Sequence, residues 1–279
     1  MTTTAMPSPR LTPLMVRILS GSVFIGVVLA ALFIGTYGVY ILVIVLAGLA
    51  LWEFRGLSDG MGSRAPGWLL FPLGAFFVFS GTVLKQVDLE VVLSLALVGG
   101  LAAFLVVPGR RQGLGRWAMG VAGALYIGMP FNYYLLLYTA KPHGLIWTAF
   151  TIFAVIASDA AALLVGSRLG KHPFFATISP HKTLEGAIAG VVAAVIVMLA
   201  GVTVVLGISP VHAIVLGFLV GTTAALGDLV ESQMKRLAEV KDSSHLIPGH
   251  GGVLDRLDSI LFPPILVYFY VTMFGLLAR

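Results

Sequence analysis

The chain has no cysteine. Disulfides and thiolate metal sites are therefore excluded. It also has little charge. Asp, Glu, Lys and Arg make up 10% of its 279 residues, where a soluble domain carries about 25%. So few charges cannot cover a water-exposed surface, so lipid must be the solvent over most of it. Acids are scarce, twelve in all. No internal repeat and no low-complexity linker divides the chain. The start, MTTTAMPSPRLTPLMVR, holds two prolines before Leu11. The apolar run after it is about 20 residues long, so it reads as a span and not as a cleavable signal.

Apolar residues fill the chain instead. They make 58% of it, and the mean hydropathy is +1.01. Nine apolar segments are legible, at about 15–34, 36–54, 67–84, 88–107, 117–139, 145–166, 184–206, 210–230 and 257–278. Each approaches the ~20 residues a helix needs to cross the hydrocarbon core. Helices are expected, because lipid offers no partner to unpaired backbone groups. Barrel strands would alternate apolar and polar residues, and these runs do not. The fifth segment is the weakest, since Pro130 and Asn132 interrupt it. The expected fold is an all-α integral membrane protein of about nine transmembrane helices.

Charge placement orients it. With nine spans, fourteen Lys and Arg fall on the side of the N-terminus, and only Lys85, Lys141 and Arg279 fall on the other. Basic residues accumulate on the cytoplasmic side. The N-terminus and the polar loops 167–183 and 231–256 are therefore expected in the cytoplasm. Polar groups gather after residue 158, so 1–140 reads as a transmembrane scaffold of five spans and 141–279 as the catalytic region. The net charge of +5 suits anionic headgroups or phosphates, as well as topology. No nucleic-acid partner is expected.

Several acids stand where acids are costly. Asp159, Asp228 and Glu231 lie in or at the edge of apolar segments, and a carboxylate at mid-bilayer costs at least ~2.5–3.5 kcal/mol. Asp255 and Asp258 share a helix face at the start of the last segment. They read either as an N-terminal cap paired with Arg256 or as metal ligands. Asp228 is expected at the same depth. Three carboxylates at one interface call for a cation between them, and magnesium takes carboxylates together with substrate phosphates.

Phosphate-binding groups surround them. Lys235, Arg236 and Lys241 are basic, and His250, Gly251 and Gly252 precede a helix start where backbone N–H groups can approach an anion. The plainer alternatives are a turn, and basic residues that mark topology or touch lipid. The other loop ends in Ser179, Lys182, Thr183 and Glu185, where Thr183 could equally cap a helix. His172 and His181 read as interfacial histidines, not ligands. The residues alone describe a cytoplasm-facing site for a divalent metal and a polyphosphate, with a lipid as one substrate. The chemistry they suit is phosphoryl or nucleotidyl transfer.

The stretch Ser232-x-x-Lys235-Arg236, four residues, Lys241-Asp242-x-Ser244, then Ile247-Pro248-x-His250-Gly251-Gly252-x-x-Asp255-Arg256-x-Asp258 resembles the signature of the phosphatidate cytidylyltransferase (CDP-diacylglycerol synthase) family. It fills every fixed position. ISPHKTLEG resembles the family's Ser-Pro-x-Lys-Thr-x-Glu-Gly segment, and SDAAALLVGSRLGKH resembles the segment before it. The likeness is sharp over 155–260 and general over 1–140.

The resemblance implies transfer of the cytidylyl group of CTP to phosphatidic acid, with magnesium. It leaves open a second metal ion or a monovalent cation. It implies Asp228, Asp255 and Asp258 at the metal, with Lys235 and Arg256 alongside as catalytic groups. Ser179, Lys182, Thr183, Glu185, Arg236, Lys241, Asp242, His250, Gly251 and Gly252 would bind CTP or phosphatidate. A homodimer is implied as well. The family segment carries a Trp shortly before its Asp and a Tyr a few residues after. Here Ser158 and Leu163 stand near Asp159 instead, which weakens the case for Asp159 as a site residue.

The remaining alternatives are a CTP-dependent polyprenol or lipid kinase and an ion-coupled transporter. Transporters place acids near mid-membrane and often show repeats. Here the acids lie at one interface. A bacterial inner membrane is the expected location.

Overall fold

The computed structural model describes residues 13–106, 110–249 and 251–278. The helices are α1 (Pro13–Ile34), α2 (Thr36–Gly60), α3 (Gly67–Phe79), α4 (Leu89–Val106), α5 (Arg110–Thr139), α6 (Gly144–Leu169), α7 (Leu184–Leu206), α8 (Pro210–Leu237), α9 (Leu254–Leu261) and α10 (Pro263–Met273), followed by a 3-10 turn at Leu276–Ala278. Two isolated bridges, Pro173 with Thr183 and Ile247 with Gly251, are the only extended pairing among the described residues.

Five described helices are long and apolar enough to cross a bilayer: α2, α5 from Gly113 onward, α6, α7 and α8. Shorter apolar stretches lie at Gly21–Ile34, Gly67–Phe79 and Leu89–Ala102. Large apolar side chains face outward along the long helices, among them Phe153 and Ile156 on α6 and Ile188, Val192 and Ile196 on α7. Such a surface suits lipid and not water. The protein is an all-α integral membrane protein.

Several expected boundaries move, among them α2, which runs on to Gly60, and α3, which ends at Phe79. α5 starts at Arg110 and runs unbroken through Pro130. A membrane helix tolerates proline where neighbours satisfy the freed backbone groups, and the buried Asn132 is itself occupied, its Oδ1 accepting the Gly81 N–H at 2.9 Å. α8 continues to Leu237, seven residues beyond the apolar run. The last segment, expected as one span over 257–278, is two helices. Pro263 and Pro264 open α10, and a proline supplies no N–H to the preceding turn.

Two apolar cores result. The first is built from α2, α3 and α5, with Leu70, Phe77, Ile127 and Leu135 fully buried. The second is built from α6, α7, α8 and α10 around Trp147, Met198, Leu216 and Val267. Small residues let the second group approach closely. A Cβ on Gly217 would run into the Val195 backbone, and one on Gly190 would meet the Ser158 hydroxyl. α9 crosses the division. It follows α8 in sequence, yet Leu254, Leu257 and Leu261 are buried in the first core. The helix carrying Asp255 and Asp258 is thus clamped by the N-terminal half.

Candidate active site

The ends that charge placement assigns to one side do lie together. The C-terminal part of α2 meets the end of α8, where a Cβ on Gly60 would touch Ala238. The end of α6 packs on the start of α7 through Gly166 and Gly186.

α8 supplies the first groups. Asp228, Glu231, Ser232 and Lys235 recur at three- and four-residue spacing, so they share a face. Lys235 is the hub. Its Nζ lies 2.5 Å from Glu231 Oε2 and 2.7 Å from Asp255 Oδ1 on α9. All three side chains are largely withdrawn from solvent, Glu231 completely. Glu231 Oε1 is buried without a hydrogen-bond partner among the described residues.

The other oxygen of Asp255 gathers the loop before α9. Asp255 Oδ2 accepts the Ser243 N–H at 2.8 Å, the Ser243 hydroxyl at 2.7 Å and the Gly252 N–H at 2.8 Å. Burial works to raise the Asp255 pKa, but the Lys235 ammonium, Ser243 and the Gly252 N–H outweigh it. The carboxyl is held below its ordinary value.

The loop between α6 and α7 closes on the same place. Lys182 Nζ lies 2.7 Å from Asp228 Oδ2, and Ser232 donates to Asp228 Oδ1 at 3.2 Å. Thr183 caps α7 and accepts the Gly186 N–H at 3.2 Å. Glu185 points back along the loop. It accepts the N–H groups of Lys171 and His172 at 3.1 and 3.3 Å and meets the His172 ring at 2.6 Å. Arg236 donates to the Ile178 carbonyl at 3.3 Å. Glu185 and Arg236 therefore shape the loop.

A cavity of about 710 Å³ opens between these elements. It brings together Asp159, Lys182, Thr183, Asp228, Asp255, Arg256 and Asp258, residues drawn from α6, the following loop, α8 and α9. Leu163, Ala187 and Gly190 form apolar parts of its wall. Ser158 also lines it, largely buried and close to Gly190 of α7. A second cavity of about 600 Å³ lies in the loop before α9, lined by Lys241, Asp242, His245, Gly251 and Arg256 among others. Arg256 lines both. Ser179, Glu185, Lys235, Arg236 and Gly252 line neither, and His250 lies outside the described residues.

Among the described residues no three acids or histidines stand ready as a metal-ligand cluster. Asp228 and Asp255 are each held by a lysine. The donor set still suits a hard divalent cation, which prefers carboxylate oxygen. The cavity sets Asp228, Asp255 and Asp258 beside Lys182 and Arg256.

Glu53 is a buried acid beside this site that the sequence did not single out. It lies on α2, is 1% exposed, and binds the loop before α9 through both oxygens. A lone acid inside the apolar run AGLALWEF was its available signal. Ser243 escaped as well, and Glu231 was noted only as a misplaced acid.

A sequence profile described as the cytidylyltransferase family matches residues 15–274. The phosphatidate cytidylyltransferase of Bacillus subtilis is 29% identical over 267 residues, covering 93% of this chain and 98% of the relative. That of Staphylococcus saprophyticus is 30% identical over 252 residues, covering 88% and 95%. That of Helicobacter pylori is 46% identical over 139 residues, about half of each chain. With the profile spanning both apolar cores and the α8–α9 site, the chain belongs to the cytidylyltransferase family.

Proposed function

We propose that this protein transfers the cytidylyl group of CTP to phosphatidic acid, giving CDP-diacylglycerol and pyrophosphate, at the cytoplasmic face of a bacterial inner membrane. The observation that carries this reading is the larger cavity. One part of it holds Lys182, Asp228, Asp255, Arg256 and Asp258, and another holds apolar Leu163 and Ala187 beside an outward apolar helix face. A charged phosphate and a lipid tail both find matching walls there.

The residues divide the work by position. Lys182 and Arg256 present cations on the cavity wall, where phosphate charge accumulates. Asp228, Asp255 and Asp258 would hold magnesium. Magnesium, when bound, supplies charge neutralisation on the triphosphate. Lys235 balances the buried Glu231 and Asp255 and keeps α8 and α9 in register. An oxygen of the phosphatidate phosphate forms a bond to the α-phosphorus of CTP. The bond from the α-phosphorus to the bridging oxygen breaks, and pyrophosphate leaves with the electron pair. A phosphate monoester is largely doubly ionised at neutral pH, its second pKa being about 6. No strong general base is needed. Catalysis then rests on positioning and charge.

The reading is tested by acceptor choice. Purified protein in mixed micelles receives CTP, magnesium and one of phosphatidic acid, diacylglycerol or a polyprenol. Mass spectrometry is expected to find CDP-diacylglycerol, with phosphatidic acid alone. A phosphorylated polyprenol or diacylglycerol would overturn the reading in favour of a kinase. The homodimer is part of the same proposal, and light scattering in detergent checks it against a protein mass of 29.5 kDa per chain.

A further inference from the structure

Glu53 is buried, charged and far from the signature in sequence, yet it touches the signature loop at four points. Oε1 accepts from the Ser244 hydroxyl at 2.6 Å and the Val253 N–H at 2.8 Å. Oε2 accepts from the Leu254 N–H at 2.6 Å and lies 3.2 Å from the Ser243 hydroxyl, whose single proton is shared with Asp255 Oδ2. Both of its oxygens are thus engaged, by two backbone N–H groups and by the Ser244 and Ser243 hydroxyls. The carboxylate also sits at the N-terminus of α9, where the helix dipole favours a negative charge.

These contacts lead to Asp255 by short steps. The Ser243 hydroxyl stands between the two acids, 3.2 Å from Glu53 and 2.7 Å from Asp255. Gly252 gives its N–H to Asp255 while its α-carbon packs on Glu53. A Cβ at Gly252 would run into the Ser243 hydroxyl and Glu53 Oε1. That close approach explains why glycine stands there. It also means that the N–H groups of Gly252, Val253 and Leu254 are already engaged by protein carboxylates.

We infer that Glu53 is a positioning residue for the transfer reaction: it gathers Ser243, Ser244 and the first turn of α9, and so fixes the carboxylate of Asp255 against Lys235. This rests on the function proposed above. α9 has its own anchor in Leu254, Leu257 and Leu261, all buried in the first core. Loss of Glu53 is therefore felt by the loop and by Asp255 before it is felt by the fold.

Glu53→Gln keeps the shape but sets a donor against donors. Groups that orient ligating carboxylates change activity or metal affinity by about 10–100-fold when altered. In the full-length protein, kcat is expected to fall by about that factor, with the KM for CTP and phosphatidic acid within about threefold of wild type. The magnesium concentration for half-maximal rate is expected to rise. Glu53→Asp retains the charge and should recover part of the loss. Amide exchange over 242–253 should quicken in Glu53→Gln.

Ser243→Ala removes the shared hydroxyl alone and serves if Glu53→Gln does not fold. It should lower kcat and raise the magnesium requirement in the same direction. The double variant should lose less than the product of the single losses, since both act along one line. A folded Glu53→Gln protein with wild-type kcat, magnesium dependence and amide exchange overturns the inference, as does full multiplicativity with Ser243→Ala. Wild-type protein that makes no CDP-diacylglycerol sinks the proposed function instead, and the amide-exchange comparison still decides the role of Glu53.

Discussion

Replacing Lys235 by Met removes one cation from between two buried carboxylates. Lys235 Nζ stands 2.5 Å from Glu231 and 2.7 Å from Asp255. Each attraction is large in gross value, but desolvation of the three groups offsets most of it. The useful quantity is the cost of removing one partner, about 3–5 kcal/mol for a buried pair. That cost falls unevenly. Asp255 keeps Ser243 and the Gly252 N–H on its other oxygen. Glu231 is fully buried, and its Oε1 already has no hydrogen-bond partner among the described residues. Glu231 thus becomes the stranded group, with neither oxygen partnered among the described residues.

Lys235→Met is expected to lower the melting temperature in detergent by roughly 6–20 °C, taking ~2–4 °C for each kcal/mol in a chain of this size. Adding Glu231→Gln replaces the stranded carboxyl with a neutral amide and should return part of the loss, without restoring turnover. Tryptophan fluorescence during a thermal ramp reads both. A Lys235→Met protein melting within about 2 °C of wild type would refute the reasoning. So would a double variant no more stable than the single one.

Asp255→Asn should abolish turnover while the protein still elutes as a single folded species, and substantial residual activity with magnesium would remove Asp255 from the metal site. Gly227→Ala should cost about 1–3 kcal/mol, seen as a lowered melting temperature, because its Cβ meets the Asp258 carbonyl oxygen and forces α8 away from α9. Thr183→Val removes the cap of α7 and should cost about 1 kcal/mol, read in the same melt. Lys141→Ala changes an exposed residue in the α5–α6 connection and should leave turnover near wild type in the micelle assay.

Much of the fold is legible because lipid imposes long apolar runs. α7 begins at Leu184 and ends at Gly207, whose φ of +64° is the left-handed stop that glycine supplies. α8 begins at Pro210, as the apolar run does. The interruption before α10 was also written in the chain as Phe262-Pro263-Pro264, yet hydropathy averages over such a break. At the site, the grouping of Asp228, Asp255 and Asp258 about one cavity follows from span-end depth and helical spacing. Their partners do not. Lys182 reaches Asp228 across a loop, and Glu53 reaches Leu254 across 201 residues. Periodicity reports local faces and says nothing of which helix end meets which. Glu185 shows the same limit from the other side. Its place beside Lys182 and Thr183 suggested a substrate contact, whereas its carboxylate is turned to the loop backbone.

The measurement closest to the central claim follows the two ends of CTP separately. Purified protein in phosphatidic acid micelles with magnesium receives CTP labelled at the α-phosphorus in one tube and at the γ-phosphorus in another. The account predicts that the α label enters the lipid and the γ label leaves as pyrophosphate. Entry of the γ label into the lipid would contradict it and make the same carboxylates and lysines the site of a kinase.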